Sequence, residues 1–138
     1  MVETSSWQSV FPNLKYVRPG AAITFLVAAF GFERHFVVTG EDGEVEHAQL
    51  RAGSDLIFIS RDREDDRYGL HSPQVLEGGS QNLCVRVADD RLDEHQARAR
   101  TAGARIVNPV HDSPAGVREY SCADPEQHVW TFSGYAGE

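Results

Sequence analysis

The chain is poor in sulfur and nearly devoid of lysine. Its 138 residues include two cysteines, one methionine and a single lysine, Lys15. Cys84 and Cys122 form no C-x-x-C pair and carry no catalytic-thiol signature; both fall in extended apolar stretches that predict reduced core residues. No apolar run approaches the ~20 residues a membrane helix needs. The first residues lack the basic start and apolar stretch of a secretory signal, which predicts a cytoplasmic protein. Positive charge is scarce, with 13 Lys and Arg against 21 Asp and Glu, for a net −8. Phosphate-backbone binding demands the opposite sign, so nucleic acid is not an expected partner, nor is a membrane. An acidic surface suits a cationic ligand, or serves solubility alone. A phosphate loop, a Rossmann glycine run and a G-x-S-x-G elbow are all absent.

What is present is a repeated order of elements. The length predicts a single domain over residues 1–138. Tyr16-Val-Arg-Pro-Gly20 closes an extended segment. Residues 21–30 then read as a helix, with Ile23, Leu26, Val27 and Phe30 on one side and Gly31 as its stop. Strands are expected at 32–39, 45–51 and 56–60, with Asp42-Gly43 as a hairpin turn. Residues 62–80 are charged, then rich in Gly, Pro and Ser, and form the expected linker. The order then restarts. A strand at 82–88 precedes a helix capped by Asp90, with Leu92, His95, Gln96, Ala99 and Ala102 along one side and Gly103 as its stop. Strands follow at 105–110, 117–123 and 128–133. The copies align at a shift of about 72 positions, placing Gly31 on Gly103 and Ile57 on Val129. The expectation is an α+β fold of two tandem βαβββ modules, 11–61 and 81–135, forming a cupped mixed sheet.

Three stretches, Ala22-Ile-Thr-Phe-Leu-Val-Ala-Ala-Phe-Gly-Phe-Glu33, Glu46-His-Ala-Gln-Leu-Arg-Ala-Gly53 and Ala99-Arg-Thr-Ala-Gly-Ala-Arg-Ile106, resemble the vicinal-oxygen-chelate superfamily of glyoxalases, bleomycin-resistance proteins and dioxygenases. The most specific piece is Gly116-Val-Arg-Glu-Tyr-Ser-Cys-Ala-Asp-Pro-Glu-Gln-His-Val-Trp-Thr-Phe132. It is similar to the superfamily's Asp-Pro-x-Gly-His/Asn turn and last strand, with Gln127 in place of the turn glycine. The resemblance covers residues 11 to 135. It implies a homodimer and a cleft that takes a small molecule. Enzymatic members hold a metal with His and Glu or Gln on the first and last strands of each module. Those positions fall here near Phe11, Ile59, Asn82 and Thr131, none of which is a good ligand for a transition ion. No metal and no cofactor are therefore expected. The implied function is a metal-free small-molecule-binding protein of the glyoxalase/bleomycin-resistance type, with antibiotic resistance by drug sequestration as its role. The alternatives are a metal-dependent lyase, isomerase or dioxygenase of the same superfamily, or a metal-free acid–base enzyme of a biosynthetic pathway.

The repeat shift pairs His47 with Glu119 on the third strands, which should lie beside each other, so these two are the candidate acid–base residues. Strand alternation places Phe11, Asn13 and Lys15 on the concave side and turns Leu14 and Tyr16 toward the helix. Gln49 shares a side with His47; Asn82, Cys84 and Arg86 share one with Thr131 and Ser133. The expected ligand-binding set is Phe11, Asn13, Lys15, His47, Gln49, Ile59, Asn82, Arg86, Glu119 and Thr131. Its makeup suits an aromatic or cationic ligand. A buried Arg86 would need Glu119 or a ligand anion as partner. Trp7 is a further ring that could line the pocket. Trp130 and Phe132 share a face expected to pack on a helix. His95 reads as a surface or half-buried residue of the second helix, His71 as part of the linker, and His128 as a structural hydrogen-bonding residue.

Overall fold

The structure is a computed structural model that describes residues 8–137; Trp7 lies outside them. The first module runs β1 (Asn13–Tyr16), α1 (Pro19–Phe30), β2 (Glu33–Thr39), β3 (Val45–Ala52) and β4 (Asp55–Arg61). Its sheet has the order β1-β4-β3-β2, with β1 parallel to β4 and the other pairs antiparallel. The linker holds one helical turn, α2 (Pro73–Leu76), whose first residues are capped by the Ser72 hydroxyl. The second module repeats the plan with β5 (Asn82–Arg86), α3 (Leu92–Thr101), β6 (Arg105–Asp112), β7 (Arg118–Ala123) and β8 (Val129–Ser133), and the sheet order β5-β8-β7-β6. Among the described residues, no helix is long and apolar enough to cross a membrane.

Local chemistry explains the ends of the helices. Pro19 occupies the first turn of α1, where its missing N–H costs nothing, and Gly31 closes the helix at φ 76°. The Arg98 guanidinium, from α3, adds a second cap by donating to the carbonyls of Ala28 and Val27 at 2.8 and 3.3 Å. Asp90 is not the cap of α3. It sits inside a 3-10 turn, Asp89–Arg91, and no side chain caps the helix that follows. Asp89 and Asp90 precede the helix and Asp93 and Glu94 lie in its first turn, so negative charge still meets the positive end of the helix dipole.

The two modules meet through their helix-covered faces. α1 and α3 pack on each other, and Phe30, at the end of α1, lies 5.4 Å from Trp130 and 4.7 Å from Phe132, ring centre to ring centre. Leu14, Tyr16, Leu50, Ile57 and Ile59 of the first sheet join Tyr120, Cys122, Trp130 and Phe132 of the second in one continuous core. Cys122 belongs to this core, and burial pushes its thiol up to about 12. Cys84 does not: it is exposed, because it shares a strand face with Asn82 and Arg86, away from the core.

The turn between β7 and β8 fastens the modules together. Asp124 accepts from the Tyr16 hydroxyl at 2.6 Å and from the Trp130 indole at 3.1 Å, and its other oxygen accepts from the backbone of Glu126 and His128. Glu126 accepts from the backbone N–H of Val17 and Arg18, just ahead of α1, and from the Ser72 hydroxyl, and so ties the approach to the first helix to the last turn. His128 bonds the Lys15 carbonyl at 2.8 Å. Asp124 and Glu126 are both buried, and such carboxylates are tolerated because every oxygen is met by donors. Gln127 adopts φ 75°, the conformation a glycine would hold at lower cost.

Candidate functional site

Each sheet has one face packed into the core and one face that no helix covers. On the first sheet the burial pattern of β1 leaves Asn13 exposed, Lys15 half-buried, and Leu14 and Tyr16 buried. Register then assigns the rest of the uncovered face. Asn13 sits opposite Phe58, and Lys15 opposite Ser60; Ser60 faces His47, and Phe58 faces Gln49; Val38 and Phe36 continue the rows onto β2. Phe11, just before β1, stacks on Phe58 with ring centres 5.2 Å apart and planes 14° from parallel. His47 meets the same ring edge-on at 5.5 Å, and its Nδ1 lies 3.4 Å from the Ser60 hydroxyl, which donates to Asn13 at 2.7 Å. The result is an aromatic platform with a polar margin.

Ile59 is not part of it. Its side chain is fully buried in the core. The counterpart of Thr131 is Phe58, since Asn13 pairs with Phe58 as Cys84 pairs with Thr131. The last strands are offset by one residue more than the glycines suggest, so Ile57 matches Trp130 rather than Val129. The run Leu56-Ile-Phe-Ile is apolar on both sides of the strand, which silences the alternation that would have fixed its phase. Phe36 and Val38 carry no sequence signal for a related reason: Phe36-Val-Val has no period of two.

The uncovered face of the second sheet is polar. Thr131 donates to the Asn82 side-chain carbonyl at 3.0 Å and accepts from Ser121 at 2.7 Å. Asn82, Cys84 and Arg86 are exposed along β5. Arg86 is thus solvated rather than buried, and Glu119 does not neutralise it: Glu119 pairs with His111 at 3.4 Å. His47 and Glu119 do not lie side by side either. They belong to separate sheets and have separate partners, which removes the geometry an acid–base pair would need within one chain.

Between the modules runs a groove of about 970 Å³ along the free edge of β5. Asn82, Cys84 and Arg86 line one side, and Val10, Pro12 and Leu56 the other. Gln8 holds that second wall in place by bonding the backbone N–H and carbonyl of Leu56 at 2.6 and 2.8 Å. Lys15 is engaged elsewhere. Its ammonium contacts Asp66 of the linker at 2.7 Å, and that hydrogen bond, with the backbone donors of Leu70 and Tyr68, lowers the Asp66 carboxyl to about 2. The linker loop is hooked shut at its base by Asp62, which binds the His71 ring and the Ser72 backbone.

A metal does not fit these residues. The metal-ligand positions of the resemblance carry a phenylalanine, an isoleucine now known to be core, an asparagine and a threonine, and Phe58 in the corrected register is no better. Among the described residues no group of three or more His, Cys, Asp or Glu side chains could hold a metal ion.

The sequence profile of the Glyoxalase/Bleomycin resistance protein/Dioxygenase superfamily matches residues 16–132. No curated protein matches the chain. Among solved structures, TioX from Micromonospora sp. ML1 is 30% identical, with 95% of this chain and 98% of that chain covered and a TM-score of 0.71. A glyoxalase-related enzyme from Fulvimarina pelagi is 17% identical over 91% and 86%, with a TM-score of 0.68. The fosfomycin resistance protein FosX from Listeria monocytogenes, complexed with Mn(II) and sulfate, is 14% identical over 95% and 92%, also at 0.68. These last two similarities speak to fold alone.

Proposed function

The chain belongs to the Glyoxalase/Bleomycin resistance protein/Dioxygenase superfamily, and within it we propose a non-catalytic binder that sequesters a small aromatic molecule. The observation that carries this reading is the Phe11–Phe58 stack, edged by His47, on a sheet face that no helix covers. Stacked rings on a rigid strand pair offer a flat ligand a large contact area at little entropic cost. The superfamily's own description includes bleomycin resistance, which favours antibiotic sequestration as the biological role. The residues where enzymatic relatives would hold a metal do not fit one, so no reaction step is assigned.

The same reading includes a homodimer. Phe36, Val38 and Phe11 are exposed on one face at 52%, 40% and 40%, and apolar surface of that kind is covered in stable proteins by a partner or a ligand. A second copy laid against this face would close it into a cleft, and its polar second sheet would supply the opposing wall.

Titration calorimetry against a panel of planar aromatic antibiotics, with survival of an expressing host, tests the proposal. The expected result is saturable binding of at least one compound, unchanged by chelators, with matching protection. Absence of binding across the panel, or turnover of a bound compound, overturns it.

A further inference from the structure

We infer that the polar second sheet selects a ligand bearing a carboxylate, with Arg86 as the anion-binding residue and Asn82 as the donor to a second acceptor on the same molecule. This rests on the proposed binding function and specifies its chemistry. The hydrogen-bond order across the sheet carries it. Thr131 has one hydroxyl proton and gives it to the Asn82 carbonyl, so Ser121 must donate to Thr131. The relay Ser121 to Thr131 to Asn82 engages one lone pair of the amide oxygen and leaves both NH2 donors without a protein partner among the described residues. Asn82 therefore keeps two free donors in the groove it lines.

Arg86 presents donors as well. It lies two positions beyond Cys84 on the same exposed strand face, and among the described residues no carboxylate forms an ion pair with it. The register runs Arg86 to Ser133 to Glu119 across β5, β8 and β7, which sets the Arg86 and Glu119 backbones two strand spacings apart, roughly 10 Å. Glu119 lies 3.4 Å from the His111 ring instead. Lys15, by contrast, already has its anion. Arg86 and Asn82 line the same groove and stand four residues apart, roughly 13 Å of strand. One small anion is too short for both, whereas a molecule with a carboxylate at one end and a carbonyl further along reaches each.

The net charge of −8 argues for a cationic ligand only at long range. Charges more than about 8 Å away are largely screened at physiological salt, while a guanidinium bonding a carboxylate directly does so with two parallel charge-assisted hydrogen bonds. Local donors decide the sign.

The test compares 6-(2-naphthoylamino)hexanoic acid with N-(6-aminohexyl)-2-naphthamide, which share the naphthoyl ring, the amide carbonyl and a spanning alkyl chain and differ in ending as carboxylate or ammonium. Calorimetry at physiological salt should show the carboxylate bound at least tenfold more tightly. Arg86→Met should erase that preference, and Asn82→Ala should weaken both compounds several-fold; both side chains are exposed, and unchanged melting temperatures would show that the variants fold. Equal or tighter binding of the ammonium compound, or a preference that survives Arg86→Met, overturns the inference and leaves aromatic binding standing. Failure of both compounds to bind removes the aromatic reading and this inference together.

Discussion

Tyr16 and Asp124 are 108 positions apart and share a 2.6 Å hydrogen bond in the buried seam between the modules. Tyr16 ends the first strand of one module, and Asp124 opens the last turn of the other. Burial, then the adjacent Asp124 charge, pushes the Tyr16 hydroxyl well above its ordinary value, so it remains a donor. Replacing it with phenylalanine leaves the seam intact in shape but deprives a buried carboxylate of one partner. A hydrogen bond to a charged group contributes about 1.5–3 kcal/mol. Tyr16→Phe is expected to lower unfolding stability by that amount in urea, and Asp124→Ala, which strands several donors at once, by more. A loss below about 0.5 kcal/mol for Tyr16→Phe would show that the seam is held by packing alone.

His95 sets a pH dependence. Its ring lies 4.3 Å from Phe132 and stacks on Phe30, and its Nδ1 is 2.5 Å from the Tyr120 hydroxyl. Desolvation, reinforced by the nearby Arg98 and Arg91 charges, lowers its affinity for a proton despite a backbone interaction at Phe30 that favours the charged form. The unfolded chain, with an ordinary imidazole near 6.5, binds the proton more readily. Stability is therefore full above about pH 6.5 and declines as the pH falls below it. Urea midpoints at pH 7.5 and 5.0 should differ more in the parent than in His95→Gln; equal differences would rule this ring out as the source.

Gln127 carries a conformational cost. At φ 75° a side chain crowds its own backbone by about 1–2 kcal/mol, partly offset in a glycine variant by the looser unfolded chain. Its side chain accepts one exposed bond from Arg105. Gln127→Gly should raise stability by about 0.5 kcal/mol, and Gln127→Val should lower it by more than 1 kcal/mol. A thermal scan in which glycine destabilises would mean that the Arg105 contact outweighs the strain.

Leu14 and Phe11 separate folding from binding. Leu14 is buried against the helix side, and Leu14→Ala should cost about 2–5 kcal/mol. Phe11 is 40% exposed, so Phe11→Ala should leave stability within about 1 kcal/mol yet weaken naphthoyl binding at least fivefold. Comparable damage to stability from both substitutions would place Phe11 in the core instead of on the platform.

The sequence by itself determined the duplicated plan. Gly31 and Gly103 end the two helices, Asp42-Gly43 turns the first hairpin, and the Asp124-Pro-Glu-Gln-His turn marks the approach to the last strand; each is a local requirement of backbone geometry and therefore legible residue by residue. The faces of β1 and β5 were legible too, because polar and apolar side chains alternate there. Tertiary structure decided the rest. Ile59 and Phe58 exchange roles because a strand that is apolar on both sides does not state its own phase. Cys84 faces outward and Cys122 inward for reasons of register, which only pairing across strands fixes. His47 and Glu119 match in the repeat but do not meet, because they stand on separate sheets and each has its own neighbour. The role of Glu126, bonding the backbone just ahead of a helix that begins more than a hundred residues earlier, depends on a contact between distant segments, and no local pattern encodes it.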